Sequence, residues 1–113
     1  MKGGLPVKLI MAVVQDIDSP KLMAELTRNN IGVTKLSSTG GFLQRGNTTL
    51  LMGVEEERLD EVLKIIEKIC RPRKHVIAPF PASPGETMAP YPIEVTVGGA
   101  TVFVMNVERF EKI

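Results

Sequence analysis

Few side chains in this sequence have the type and spacing that chemistry needs. His75 is the single histidine and Cys70 the single cysteine, so neither a two-histidine metal site nor a disulfide within the chain can form. Cys70 and His75 have the residue types of a thiol–imidazole pair. Cys70, however, falls on the apolar side of a helical pattern, where a thiol packs as a small hydrophobe and has no reason to ionise. Asp16 and Asp18 place two carboxylates just after an apolar run. Two acids without further oxygen ligands more often serve turns and helix starts than cations. No carboxylate has a partner that would separate acid and base roles. The sequence therefore predicts no enzyme, no catalytic residue, no metal and no cofactor.

The segment Ser37–Thr49 (SSTGGFLQRGNTT) is different. Its three glycines and its hydroxyl residues could present several backbone N–H groups to a phosphate. Gly41–Thr48 has the spacing of a phosphate-binding loop, but Asn47 stands where that motif needs lysine, and a strand rather than a helix follows. A nucleotide-hydrolysing loop is excluded. Phe42 lies inside this polar glycine-rich loop in a chain with four Phe, one Tyr and no Trp. An aromatic ring beside Asn47 and hydroxyls suits stacking on a base and reading of its edge. It would equally suit a loop anchored to the core or packed against a neighbouring subunit.

Hydrophobic patterning supplies the elements that would position these residues. Val7–Val14 is almost continuously apolar and reads as a central strand buried on both faces or nearly so. Ser19-Pro20 reads as a helix start, with Leu22, Met23 and Leu26 on one face and an end near Asn29-Asn30, where Asn tolerates a left-handed cap. Ile31, Val33 and Leu36 begin a second strand, and Thr48–Val54 is a third. A second helix follows Glu55–Glu57, with Leu59, Val62, Leu63, Ile66, Ile69 and Cys70 recurring at three- and four-residue steps. Leu9–Val13 and Leu50–Val54 echo each other, as two β-α-β halves would. Lys74–Ile77 reads as a short strand, and Pro79, Pro81, Pro84, Pro90 and Pro92 then punctuate a long loop. Ile93–Val97, Gly98-Gly99 and Thr101–Val107 read as a hairpin.

The chain has 113 residues, 14 Lys plus Arg against 13 Asp plus Glu, and a formal charge of +1. That size argues for one domain spanning 1–113. The near-zero charge gives no reason to expect DNA, RNA or an anionic membrane as partner. One cysteine and no run long enough for a signal peptide or a membrane span predict a cytoplasmic protein. The expected fold class is α+β: a ferredoxin-like βαββαβ subunit with an extra C-terminal hairpin and a long proline-rich loop.

The motifs Asn29-Asn30 through Thr34-Lys35-Leu36, Thr39–Leu43 (TGGFL), Gly46–Thr49 (GNTT), Val14-Gln15-Asp16, Pro90-Tyr91-Pro92 and Val97–Val104 closely resemble the cyclic-di-AMP receptor proteins related to PII signal transducers. The resemblance runs over nearly the whole chain after a 1–6 extension. It implies a PII-like homotrimer that binds cyclic-di-AMP in clefts between subunits and modulates an unidentified protein target. The glycine-rich loop (37–49) would be short compared with its PII equivalent, and 71–92 would be the enlarged, mobile loop. By motif, Asn30 and Thr34 would contact the ligand, Phe42 would stack on an adenine beside the Gly41 and Leu43 backbone, Asn47 would read a base edge, the Gly53 backbone would line the pocket and Phe103 would form its wall. Family members carry Arg at the position of Gly32 and Gln at that of Lys112, with Lys112, Arg45 or Lys35 as substitutes here. A second reading is thus a PII-like regulator that has lost cyclic-di-AMP binding and senses another nucleotide or a protein alone.

Overall fold

Strand β1 (Val7–Gln15) alternates buried and half-exposed residues along its length. That alternation sets the architecture of the computed structural model, which describes residues 6–36, 46–77 and 93–113. Helix α1 (Ser19–Arg28), β2 (Thr34–Leu36), β3 (Asn47–Glu55), a short 3-10 turn, α2 (Leu59–Cys70), β4 (Arg73–Ile77), β5 (Ile93–Val97) and β6 (Ala100–Val107) follow in order. Four strands form an antiparallel sheet in the order β2-β3-β1-β6, and β4 and β5 form a separate two-stranded ribbon.

Both helices lie on one side of the four-stranded sheet. The residues beneath them are Ile10, Ala12 and Val14 of β1 and Leu50, Met52 and Val54 of β3, joined to Leu22 and Leu26 of α1 and to Val62, Ile66 and Cys70 of α2. Register places Ile10 opposite Met52 and Ala12 opposite Leu50, so the two strands present one continuous floor. Each fully buried Leu or Ile contributes about 1.5–3 kcal/mol over its exposed state. The next residues along, Leu9, Met11, Val13 and Leu51, point to the other side and are half-exposed. Burial of β1 on both faces is thus met on one face only within the chain.

The helix boundaries have local causes. Asn30 takes φ 60°. Its amide donates to Thr27 O at 3.0 Å, and the Ile31 amide donates to Leu26 O at 2.9 Å. That pair of bonds closes a left-handed Schellman cap, with buried Ile31 and Leu26 providing its apolar contact. Helix α1 starts one residue earlier than a Ser19 cap would place it. Asp18 occupies the cap position but makes no capping bond, because its carboxylate is taken by Arg73, 2.6 Å away.

Two expectations need correction. Gly98-Gly99 does not close a hairpin: β5 pairs with β4, while β6 crosses to the far side of β1. The loop boundary at residue 71 is also too early: Lys74–Ile77, read as a short strand, lies within β4 (Arg73–Ile77), which pairs with Ile93–Val97. The rest of the expected proline-rich loop, 78–92, lies outside the described residues, as do residues 37–45 of the glycine-rich loop and 1–5 of the N-terminal extension.

Candidate functional site

Pleating sends alternate residues of a strand to opposite faces, and register then assigns each expected site residue to a side. Thr34 pairs with Leu51, Leu51 with Met11, and Met11 with Phe103. Thr34, Leu51, Met11 and Phe103 therefore form one row on the face without helices. Gly53, Leu9 and Met105 form the next row. Asn47 falls on the same face at the loop end of the sheet, opposite Gln15. Phe103 is 52% exposed and Met105 38% exposed, so an apolar surface of Leu9, Met11, Leu51, Phe103 and Met105 carries three of the polar or backbone positions expected to bind.

Within this face the residues separate into two groups. Thr34 and Gly53 are diagonal neighbours on adjacent strands, about 7–8 Å apart. Phe103 lies three strand spacings from Thr34, roughly 14 Å, on the opposite edge strand. Asn30 is exposed at the left-handed end of α1, where its side chain is free of the cap that its backbone makes. Gly41, Phe42 and Leu43 lie outside the described residues. Lys35 pairs with Leu50, which puts it on the helix side, away from Thr34. A Cβ on Gly53 or Gly32 would meet no atom of the described residues within 4 Å, so none of them requires glycine at either position.

The end of β1 that carries the glycine-rich segment is densely bonded. The Asp16 amide donates to Gly46 O at 2.9 Å, and Thr48 Oγ1 donates to Asp16 Oδ1 at 2.5 Å. The Gly98 amide donates to Gln15 Oε1 at 2.7 Å, and Arg73 meets the buried Asp18 through both its terminal nitrogens. Both aspartates considered as cation ligands are therefore engaged by other side chains. Gln15 and Gly98 stood out in the sequence only as members of motifs, and sequence reasoning did not find the bonds of Gln15, Arg73 or Gly98, because their partners lie 55 and 83 residues away.

The thiol and imidazole are kept apart by environment. Cys70 is buried, and its pKa is pushed up to about 11 by burial first and then by the Asp18 carboxylate, so it stays a neutral thiol. His75 is exposed on β4 opposite Val95. Among the described residues no group of three His, Cys, Asp or Glu could hold a metal ion, and no helix is long and apolar enough to cross a membrane. A groove of about 840 Å³ between α1 and α2 is lined by residues such as Lys21, Lys64, Ile65 and Lys68. Among the described residues it contains none of the expected binding residues.

An α+β sheet in the order β2-β3-β1-β6 with both helices on one side is a ferredoxin-like arrangement, similar to that of PII-like proteins. A protein from Thermus thermophilus described as a PII-like signalling protein superimposes with a TM-score of 0.53 at 20% identity, over 91% of this chain and 87% of that one. A protein from Pediococcus pentosaceus described as functionally unknown superimposes with a TM-score of 0.80 at 45% identity, over 97% of this chain and all of that one. The sequence profile of the cyclic-di-AMP receptor family matches residues 7–113. The chain belongs to the cyclic-di-AMP receptor family.

Proposed function

We propose that this protein is a cytoplasmic, non-enzymatic receptor that binds cyclic-di-AMP in clefts between neighbouring copies of a homotrimer. The supporting observation is the helix-free face: it is apolar, the chain's own helices do not cover it, and Thr34 and Phe103 sit at its opposite edges. A neighbouring copy that sets its β6 edge beside the β2–β3 side of the first brings Phe103 to Thr34 and Gly53, and covers Leu9, Met11 and Leu51. One surface thereby serves both assembly and binding.

In that cleft Phe42 stacks on an adenine, with the Gly41 and Leu43 backbone beside it. Asn47 reads a base edge, and Asn30 and Thr34 donate to polar groups of the ligand. The unfilled space at Gly53 lets the ligand approach the backbone. Stacking and donor-rich contacts suit a ligand with two π-faces and two phosphates. Signalling to a protein partner requires that ligand favour one arrangement of the loops over another, since uniform binding shifts no equilibrium.

Equilibrium dialysis of the wild type and of Phe42→Ala against cyclic-di-AMP tests the pocket. The variant should bind weaker by about 1–3 kcal/mol, the range for base stacking. Wild-type affinity in the variant contradicts the assignment. A PII-like regulator responding to another nucleotide or only to a protein is favoured by Gly32 and Lys112 standing where the family carries Arg and Gln, and a panel with ATP and cyclic-di-GMP separates the two readings.

A further inference from the structure

The roots of the ribbon and of the glycine-rich segment meet on one short stretch, Gln15–Asp18. On one side, Asn47 faces Gln15 in register, Gly46 O accepts the Asp16 amide, and Thr48 Oγ1 donates to the Asp16 carboxylate. On the other side are both stems of the β4–β5 ribbon. The β4 stem is held by the Arg73 guanidinium on Asp18, 3% exposed. The β5 stem is held by the Gly98 amide on Gln15 Oε1 and by the Gly99 amide on Cys70 O.

The geometry of Gly98 leaves this joint little slack. Its φ is +97°, a Cβ there would overlap the Arg71 carbonyl oxygen, and Arg73 Nη1 lies 2.9 Å from the same point. The ribbon's strands pair with each other and with no strand of the main sheet, so its direction is set where its stems are held. Gln15 presents its side chain to one stem while its backbone runs directly into Asp16. The acceptor on which the ribbon's stem depends is thus one residue from the amide that holds the root of the glycine-rich segment.

We propose that Gln15, Asp16 and Asp18 form a positioning joint that transmits engagement of the glycine-rich segment to the root of the β4–β5 ribbon. The identity of the ligand rests on the receptor reading above. The joint itself consists of contacts within one chain and is testable without ligand.

Amide hydrogen exchange on the full-length protein makes that test. Thr48→Val removes a hydroxyl on the glycine-segment side and touches neither stem. It should nevertheless accelerate exchange at Gly98 and Gly99 by at least about threefold while leaving the core amides of Val62 and Ile66 unchanged, as local opening requires. Gln15→Leu should do the same, and Gln15→Glu, which keeps an acceptor oxygen for Gly98, should restore protection. Wild-type exchange at Gly98 and Gly99 in Thr48→Val overturns the proposal, and so does equal acceleration at Val62 and Ile66. Added cyclic-di-AMP should protect Gly98 and Gly99 in the wild type and fail to do so in Gln15→Leu. Protection confined to Gly46–Thr49 also overturns the joint. No ligand-induced change at any amide counts against the receptor reading instead, and the Thr48→Val comparison then decides the joint alone.

Discussion

The two faces of the four-stranded sheet are nearly equal in apolar content and opposite in fate. One carries Ile10, Ala12, Leu50 and Met52, sealed beneath two helices to 1% exposure or less. The other carries Leu9, Met11, Leu51, Phe103 and Met105, with no helix of the described residues over them. A central strand apolar on both sides is made to be covered on both sides, and the described residues supply half of that cover. The difference separates two roles: the covered face holds the fold, and the open face is the one on which the proposed assembly and ligand site would lie.

Paired substitutions one residue apart can break that contrast. Leu50→Ala, under the helices, should cost about 2–5 kcal/mol in urea unfolding. Leu51→Ala and Phe103→Asp, on the open face, should instead shift the protein to smaller species in sedimentation. A carboxylate at Phe103 should do so most strongly, because burying it unpaired in an interface costs several kcal/mol. Equal unfolding losses from Leu50→Ala and Leu51→Ala, with unchanged sedimentation, would remove the distinction between the faces.

Gly32 sharpens the binding side of the comparison. Its site is exposed, with no atom of the described residues within 4 Å of a Cβ, so Gly32→Arg should fold normally. If the guanidinium reaches a phosphate, cyclic-di-AMP should bind tighter by about 1.5–3 kcal/mol, the range for a hydrogen bond to a charged group. Calorimetric titration of the variant against the wild type reads this directly.

Cys70 reports on the covered side. With its pKa near 11 rather than the ordinary 9.0, its thiolate fraction near neutral pH is roughly a hundredfold below that of an exposed thiol. Iodoacetamide should label the native protein correspondingly slowly and the urea-unfolded protein fast. A raised folded-state pKa favours the neutral thiol in the native state. Its contribution to stability is therefore full below pH 9 and lost as pH rises through about 11. Cys70→Ala should lack that alkaline component in a comparison of urea midpoints. The smallest effect belongs to the start of β1, where half-buried Lys8 lies 3.4 Å from the exposed Glu56. Lys8→Ala should change stability by no more than about 1 kcal/mol, as for other surface ion pairs.

Local patterns made much of the fold legible. Three- and four-residue apolar steps marked α2, Asn29-Asn30 marked the left-handed end of α1, and the echo of Leu9–Val13 in Leu50–Val54 marked the strands that open the two β-α-β halves. What failed was choice of partner. Gly98-Gly99 has the local chemistry of a hairpin turn, but its positive φ angles serve a crossing between sheets and a close approach to Arg71. Val104 pairs with Ile10 across most of the chain, and no nearby residue encodes that. Candidate site residues were legible as types, since the family resemblance singled out Thr34, Gly53 and Phe103. Their shared face could be read only after register fixed which alternate residues point together. Asp18 and Arg73 were visible as charges, and their pairing was not.

Native mass spectrometry of the intact protein titrated with cyclic-di-AMP tests the central claim that a second copy completes the site. The account predicts trimers that take up the ligand to one per subunit, with little ligand on monomers and little uptake of cyclic-di-GMP. Ligand bound to monomers as readily as to trimers, or trimers that take up none, would contradict it.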